Sequence, residues 1–149
     1  VLLEHHPGPT AGACWVILPE PKIVFIGDLV VKNQPPFLAN ANLEEWIKSL
    51  DQLLAGYRDY TIVSGRSGVV TAANAQSQRE KISSLHESLE ALAKQGAGPD
   101  ALESLIPGMM PGGKSSEHQK QYVQRLIHGL RHYYARHYKV TGPIDESEE

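Results

Sequence analysis

One segment matches the consensus of a phosphate-binding loop. The residues GMMPGGKS at 108–115 fit the pattern GxxxxGK[ST], in which backbone N–H groups and a lysine, here Lys114, cradle phosphate oxygens. Such a loop follows a buried parallel strand, whereas Pro99 opens a short helix that runs to about Ile106. Only one helix and an acidic tail come afterwards. We therefore interpret 107–113 as a flexible connection between helices and expect no nucleotide.

The histidines near the C-terminus are spaced like metal ligands on a helix. His128 and His132 lie four residues apart, with His137 a turn further, and such spacing can place imidazoles around one zinc ion. No Glu follows His128, so the zinc-protease pattern HExxH is absent. The alternative is a solvated, aromatic helix face that holds no metal. We interpret the histidines in this second way.

The same segment has a local excess of positive charge. Residues 118–140 carry a formal charge of +5 with no acidic residue, while the whole chain carries −3, which leaves −8 for the remainder. The cations are Lys120, Arg125, Arg131, Arg136 and Lys139. Basic residues interleaved with tyrosine can bind nucleic acid, but cations near a helix C-terminus also stabilise the helix dipole and can pair with an acidic remainder. We favour this internal role and expect no nucleic-acid partner.

The bulk composition is that of one ordinary globular domain. The 149 residues are 41% hydrophobic and 21% charged. No apolar run is long enough to cross a bilayer, so we expect no membrane partner. The single cysteine, Cys14, excludes an internal disulfide and is compatible with a reducing cytoplasm, which is the predicted location. We predict that Cys14 is a small core residue rather than a nucleophile.

Strand-like segments fill the first 70 residues, and helices follow them. Apolar runs predict about four strands, at 1–6, 13–18, 22–31 and 60–63, and the turn at 19–22 predicts an antiparallel hairpin. Asn42 with Glu45 three residues later predicts a helix start. Further helices are predicted from about 72 to 95, from Pro99, and from about 116 to 140 with Ser115 or Ser116 as cap. The acidic tail 141–149 is predicted to be disordered.

Three short motifs in the first 70 residues resemble the second half of the metallo-β-lactamase fold. They are HPGPTAG at 6–12, KIVFIGD at 22–28 and YTIVSGRSG at 60–68. They are similar, in order and spacing, to that family's Pro-Gly-His-Thr-x-Gly loop, its strand ending Phe-x-Gly-Asp and its later strand ending Pro-Gly-His-Gly. The resemblance implies an α/β fold: half of an αββα sandwich over 1–70, followed by a helical extension over 71–140.

The resemblance also implies that most zinc ligands are missing. The family's first half carries a His-x-His-x-Asp-His cluster that has no counterpart here. Of the ligand positions in the second half, the first histidine aligns with Pro9 and the last with Arg66, and neither side chain can coordinate zinc. Asp28, which matches the bridging carboxylate, remains, and a lone carboxylate does not hold zinc. We expect no cofactor in this chain, and zinc only where a longer parent supplies the ligands that would join Asp28.

Arg66 gives the altered site a different chemistry. A guanidinium on a loop after a strand, opposite Asp28, can form an ion pair or a fork for a carboxylate or phosphate. A structural Asp28–Arg66 pair and a site for a small anion both stay open. The candidate ligand-binding residues are Asp28, Arg66, His6, Thr10 and Ser64. His5 is ambiguous, like His6, because a strand end often presents histidine to solvent.

Three classes of function follow, and catalysis is left open. The first is a degenerate hydrolase or ligand-binding module that uses the altered pocket. The second is an interaction or oligomerisation module that uses the basic, aromatic C-terminal helix, and the third is the C-terminal half of an active zinc hydrolase whose ligands lie on a missing N-terminal half. The predicted strands at 13–18 and 22–31 are apolar on both faces. We therefore expect one face to be covered by that N-terminal half or by a second copy of the chain.

Overall fold

The computed structural model describes residues 1–111 and 118–138, and these contain a five-stranded sheet whose strands lie in chain order. The strands are β1 Leu2–His5, β2 Cys14–Leu18, β3 Ile23–Phe25, β4 Thr61–Ser64 and β5 Gly68–Val70. All neighbours pair antiparallel except β3 and β4, which are parallel. The predicted α/β class and the hairpin of β2 with β3 are confirmed.

Helices connect and cover the strands. They are α1 Leu43–Gly56, α2 Ala72–Lys94, a 3₁₀ helix Pro99–Leu105, α3 Ile106–Met109 and α4 Gln119–His137. The side chain of Asn42 accepts a hydrogen bond from the Glu45 backbone N–H at 3.0 Å, so the predicted start of α1 is confirmed. Of the helices in the described part of the chain, none is long and apolar enough to cross a membrane.

Two strand predictions need correction. The strand predicted over 22–31 ends at Phe25, because Gly27 adopts a φ of +60°, a left-handed conformation that leaves the extended path. The apolar residues 29–31 are buried beyond that turn rather than in a strand. The short strand β5 was not predicted; it begins at Gly68, whose φ of +67° closes the turn after β4.

The segment predicted as a flexible loop at 107–113 also differs in part. Pro107 and Gly108 lie inside α3, where proline is tolerated because the first turn of a helix has no partner for its N–H. The segment that matches the phosphate-binding loop begins within α3 and follows the 3₁₀ helix. As expected, it does not follow a strand. Lys114, the cap at Ser115 or Ser116, Lys139 and the tail 141–149 lie outside the described residues.

One face of the sheet forms the core together with the helices. Trp15, Ile17, Val24 and Ile62 alternate inward along their strands and are at most 3% exposed. They share one apolar cluster with the buried faces of α1 and α2. The two helices thus cover the central part of this face.

The opposite face of the sheet is apolar and open. The strand registers place Leu3, Val16, Phe25, Val63 and Val69 in one row across all five strands. Leu3 is 73% exposed, Phe25 41% and Val69 60%. We call this row the open face. In the described part of the chain it has no cover, which accords with the expectation that a strand apolar on both sides needs a partner on each.

The prediction that Cys14 lies in the core is wrong. Cys14 is exposed, and its thiol lies 3.4 Å from the carbonyl oxygen of Gly12. Because side chains alternate along β2, the inward positions go to Trp15 and Ile17, and Cys14 points to the open side of the sheet.

The C-terminal helix α4 packs into the core rather than standing apart from it. Its Tyr133 and Tyr134 are buried, and the Tyr133 hydroxyl accepts a hydrogen bond from the Leu43 backbone N–H. Gly129 lies against the segment before α1, where an added Cβ would lie 3.0 Å from the Leu38 Cβ. The absence of a side chain at Gly129 therefore sets how closely α4 approaches the rest of the chain.

We expect Gly129→Ala to lower the free energy of unfolding by about 1–2 kcal/mol, because the new methyl group overpacks the contact with Leu38 by more than the gain in helix propensity. Gly56→Ala, at the end of α1 with nothing within 4 Å of an added Cβ, is the matched control. It should leave stability unchanged or raise it. Urea unfolding measures both, and an equal gain in the two variants would contradict the close approach of α4.

Candidate functional site

The parallel pair β3–β4 brings two charged residues together just beyond its ends. Backbone hydrogen bonds from Ile26 N–H to Val63 O (2.9 Å) and from Gly65 N–H to Gly27 O (2.8 Å) continue the pairing past Phe25 and Ser64. Asp28 and Arg66 follow directly, and Arg66 Nε lies 3.5 Å from Asp28 Oδ2. The predicted juxtaposition of these two residues is thus present in the structure.

A second guanidinium, not anticipated as a site residue, completes the arrangement. The guanidinium carbon of Arg125, on α4, lies 4.0 Å from the centre of the Phe37 ring, and that of Arg66 lies 4.5 Å from the same ring centre. Arg125 donates hydrogen bonds to Gln34 Oε1 at 3.0 Å and to the Pro35 carbonyl at 2.9 Å. We call Asp28, Phe37, Arg66 and Arg125 the guanidinium cluster.

The guanidinium cluster has an excess of positive charge. Burial lowers the pKa of Arg125, the neighbouring charge of Arg66 lowers it further, and the carboxylate of Asp28 opposes that effect. The cluster therefore holds two guanidinium groups and one carboxylate, which pairs with Arg66. The side chains of Arg66 and Asp28 are 52% and 37% exposed, so the Arg66 end of the cluster is accessible to a ligand from solvent.

Ser64 holds the turn that carries Arg66. Its buried hydroxyl donates a hydrogen bond to the Val30 carbonyl at 2.6 Å and accepts one from the Ser67 backbone N–H at 3.3 Å. Ser67 in turn accepts a hydrogen bond from the Lys32 backbone N–H at 2.8 Å. These bonds tie the turn after β4 to the segment after β3, and so position Arg66 relative to Asp28.

His6 and Thr10 have other partners among the described residues. The His6 ring stacks on Trp15, with 3.7 Å between ring centres, and its Nε2 lies 2.9 Å from Glu4 Oε1. This hydrogen bond lowers the pKa of Glu4, which also accepts a hydrogen bond from the Tyr57 hydroxyl. Thr10 is exposed and closes the loop through its backbone carbonyl, while His5 bonds to the Ala11 carbonyl. The structure does not join these residues to the guanidinium cluster.

His128 and His132 form a pair on α4, with no third metal-ligating side chain beside them in the described residues. The rings of His128 and His132 are exposed and 4.2 Å apart between centres. Within 1–111 and 118–138, neither belongs to a group of three side chains that could hold a metal ion. The structure thus presents them as an exposed pair on α4.

Comparison with known proteins finds similarity in solved structures alone; no family model and no curated protein matches the chain. A metallo-β-lactamase family protein from Thermus thermophilus matches 89% of this chain and 42% of its own, with 22% sequence identity and a TM-score of 0.52. A β-lactamase domain protein from Burkholderia ambifaria matches 89% of this chain and 41% of its own (14% identity, TM-score 0.51). VMB-1 matches 56% and 41% (24% identity, TM-score 0.50).

The chain has part of the metallo-β-lactamase fold. It spans about two fifths of the length of each of these three structures. The fold that the sequence motifs suggested is therefore confirmed. At these identities the similarity concerns the fold, and the chemistry has to be read from the residues of this chain.

Zinc, which the metallo-β-lactamase resemblance implies, does not fit the residues around Asp28. The carboxylate of Asp28 faces the guanidinium of Arg66, and Arg125 adds a second positive charge nearby. Within the described part of the chain, Asp28 belongs to no group of three metal-ligating side chains. Two fixed cations beside a single carboxylate disfavour a third cation at the same place.

Proposed function

We propose that this chain is a ligand-binding module of metallo-β-lactamase descent that binds a small anion, a carboxylate or a phosphate, at the guanidinium cluster. The observation that carries the proposal is that Arg66 and Arg125 both lie against the Phe37 ring, while the one nearby carboxylate, Asp28, pairs with Arg66 alone. An anion would balance the remaining positive charge. Guanidinium groups suit this role because their N–H donors match the oxygens of carboxylate and phosphate.

The two arginines contribute to binding in different ways. Arg125 is held by Gln34 and the Pro35 carbonyl, so its position is fixed before a ligand arrives. Arg66 is half exposed, and the 3.5 Å from its Nε to Asp28 is longer than an ordinary hydrogen bond. Its N–H donors are therefore available to an anion, although the Asp28 carboxylate competes with the anion for these donors. Phe37 contacts both guanidinium groups, whose carbons lie 4.5 and 4.0 Å from its ring centre.

Arg66→Gln should weaken the binding of inorganic phosphate by about 10–100-fold, because it removes a charged hydrogen-bond donor that contacts the ligand. Asp28→Asn should strengthen the binding several-fold, since it removes the competing carboxylate. Isothermal titration at constant ionic strength measures both effects.

Arg131→Gln is the matched control for this titration. It removes the same charge from an arginine whose partner is Asp100, at 3.7 Å, away from the guanidinium cluster. Phosphate affinity should stay within about twofold of the wild-type value, since surface charge at a distance is screened. Equal losses of phosphate affinity in the Arg66 and Arg131 variants, or unchanged affinity in Arg66→Gln, would contradict the anion site. The Asp28–Arg66 pair would then be a structural ion pair.

We also propose that the open face packs against a second sheet, supplied by an N-terminal half of the fold. The length of the solved structures that this chain matches, of which it spans about two fifths, supports this partner. A second copy of the chain is the alternative occupant.

The single cysteine accords with a reducing cytoplasm, where we place the protein. A zinc hydrolase with all its metal ligands on the N-terminal half would show, in the complete protein, zinc bound by that half.

In isolation the chain should self-associate or bind a hydrophobic dye through the open face. Replacing Phe25 and Val69 by lysine should abolish both properties, because the row across the sheet then carries charge. Ala135→Lys, on the exposed side of α4, adds a similar charge elsewhere and should leave both properties unchanged. Light scattering and dye fluorescence measure the outcome. A wild-type chain that is monomeric and binds no dye would refute the need for a partner at this face.

A further inference from the structure

A second cluster of chemical groups lies where α1 begins beside α2, and it is built from residues outside the guanidinium cluster. Glu44 is in the first turn of α1, and His86 and Glu90 lie four residues apart on α2. One ligand atom from each lies within 4.8 Å of those from the other two. The sequence analysis did not single out these residues, because 42 positions separate Glu44 from His86 and only the packing of α1 on α2 joins them.

The distances in this cluster resemble those among ligands around one ion. His86 Nε2 lies 3.6 Å from Glu44 Oε1 and 3.9 Å from Glu90 Oε1. Both distances exceed an ordinary hydrogen bond. Two ligands at 2.0–2.1 Å from a tetrahedral zinc ion are about 3.3 Å apart. The His86–Glu44 distance is thus close to that of two ligands on one ion, and side-chain rotation of the exposed carboxylates would bring the three atoms into a coordination shell.

An ordinary ion pair further along the same two helices provides a contrast. Arg79 Nε of α2 donates to Asp51 Oδ1 of α1, which satisfies a donor and an acceptor directly. In the second cluster, by contrast, the carboxylates of Glu44 and Glu90 both face one imidazole nitrogen, His86 Nε2. In the described residues, His86 Nδ1 is buried and has no hydrogen-bond partner. When the ring proton is on Nδ1, Nε2 directs its lone pair toward the two carboxylates, where a metal ion would lie.

One neighbour positions Glu90. The Tyr138 hydroxyl donates a hydrogen bond to Glu90 Oε1 at 3.1 Å. A hydrogen bond of this kind holds a ligating carboxylate in one orientation.

The charged groups around the cluster are accounted for by other contacts. Arg136 of α4 donates to the carbonyl oxygens of Ala39 and Ala41, and His137 bonds to the Ala41 carbonyl. Burial and the charge of Arg136 lower the pKa of His137, which favours its neutral form. In the described residues, neither Arg136 nor His137 forms a hydrogen bond or ion pair with Glu44, His86 or Glu90.

We propose that Glu44, His86 and Glu90 bind a divalent first-row transition metal ion, with Zn²⁺ the favoured ion because the site combines an imidazole nitrogen with carboxylate oxygens. The half-exposed carboxylates leave room for water at a remaining coordination position. The ion would join the start of α1 to the middle of α2. This site departs from the sequence-based expectation of no metal in the chain, and it is independent of the proposed anion site.

The metal-free full chain, titrated with Zn²⁺ by calorimetry and with Co²⁺ by visible absorption, tests the proposal. We expect one equivalent of metal, an absorption band of Co²⁺ bound to nitrogen and oxygen, and a higher Tm with Zn²⁺. His86→Gln and Glu44→Gln should each weaken binding by about 10–100-fold or more and remove the Tm shift. Tyr138→Phe should weaken it by about tenfold, because Glu90 loses its hydrogen bond.

Two variants are the controls. His132→Gln removes one of the exposed histidines of α4, and Asp28→Asn removes the carboxylate that corresponds to the family's own zinc position. Both should bind Zn²⁺ like the wild type. Glu44 is 68% exposed, so Glu44→Gln stays folded even if His86→Gln does not. Binding that survives in Glu44→Gln, or that is lost in His132→Gln or Asp28→Asn, would overturn the proposal, as would the absence of binding in the wild type.

Discussion

The parallel pairing of β3 with β4 is the constraint on which the candidate site depends. Parallel neighbours require a crossover, which α1 supplies, and they end at the same edge of the sheet. The two backbone hydrogen bonds that continue the pairing beyond the strands keep the following turns in register. Asp28 and Arg66 therefore meet because of the backbone, and their ion pair is a consequence of the fold rather than its cause.

The helix α4 adds what the sheet cannot provide. Its close approach at Gly129 brings Arg125 to Phe37, a residue of the loop between β3 and α1. The buried tyrosines of α4 belong to the same core as the sheet, so the aromatic side of the helix is used within the chain. Helix α4, which was predicted as part of a helical extension, thus contributes Arg125 to the candidate site. This arrangement places positive charge where the related fold implies a metal.

Much of the architecture follows from local signals in the sequence. The Asn42 cap, the hairpin of β2 with β3 and the helix from about 72 to 95 depend on residues close together in the chain, and each is found where it was predicted. The end of β3 was missed because the apolar residues 29–31 continue the strand pattern, while Gly27 alone turns the backbone. The pattern of apolar residues does not show which buried residues are in a strand.

The unpredicted site residues share one cause. Arg125 lies 59 positions from Arg66, and the ligands of the proposed metal site come from two helices. Neither spacing has a local signature, so helix packing alone brings these groups together. The exposure of Cys14 has the same origin, because the sequence shows that β2 is apolar but not which of its faces is covered.

The most direct test of the central claim is an NMR titration of the arginine Nε–Hε signals with inorganic phosphate at constant ionic strength. The account predicts that the signals of Arg66 and Arg125 shift together and saturate with one dissociation constant. Those of the arginines outside the guanidinium cluster should stay in place. These control arginines are Arg58, Arg79, Arg131 and Arg136. Equal, unsaturated shifts of all arginines, or a shift of Arg66 without Arg125, would contradict a shared anion site.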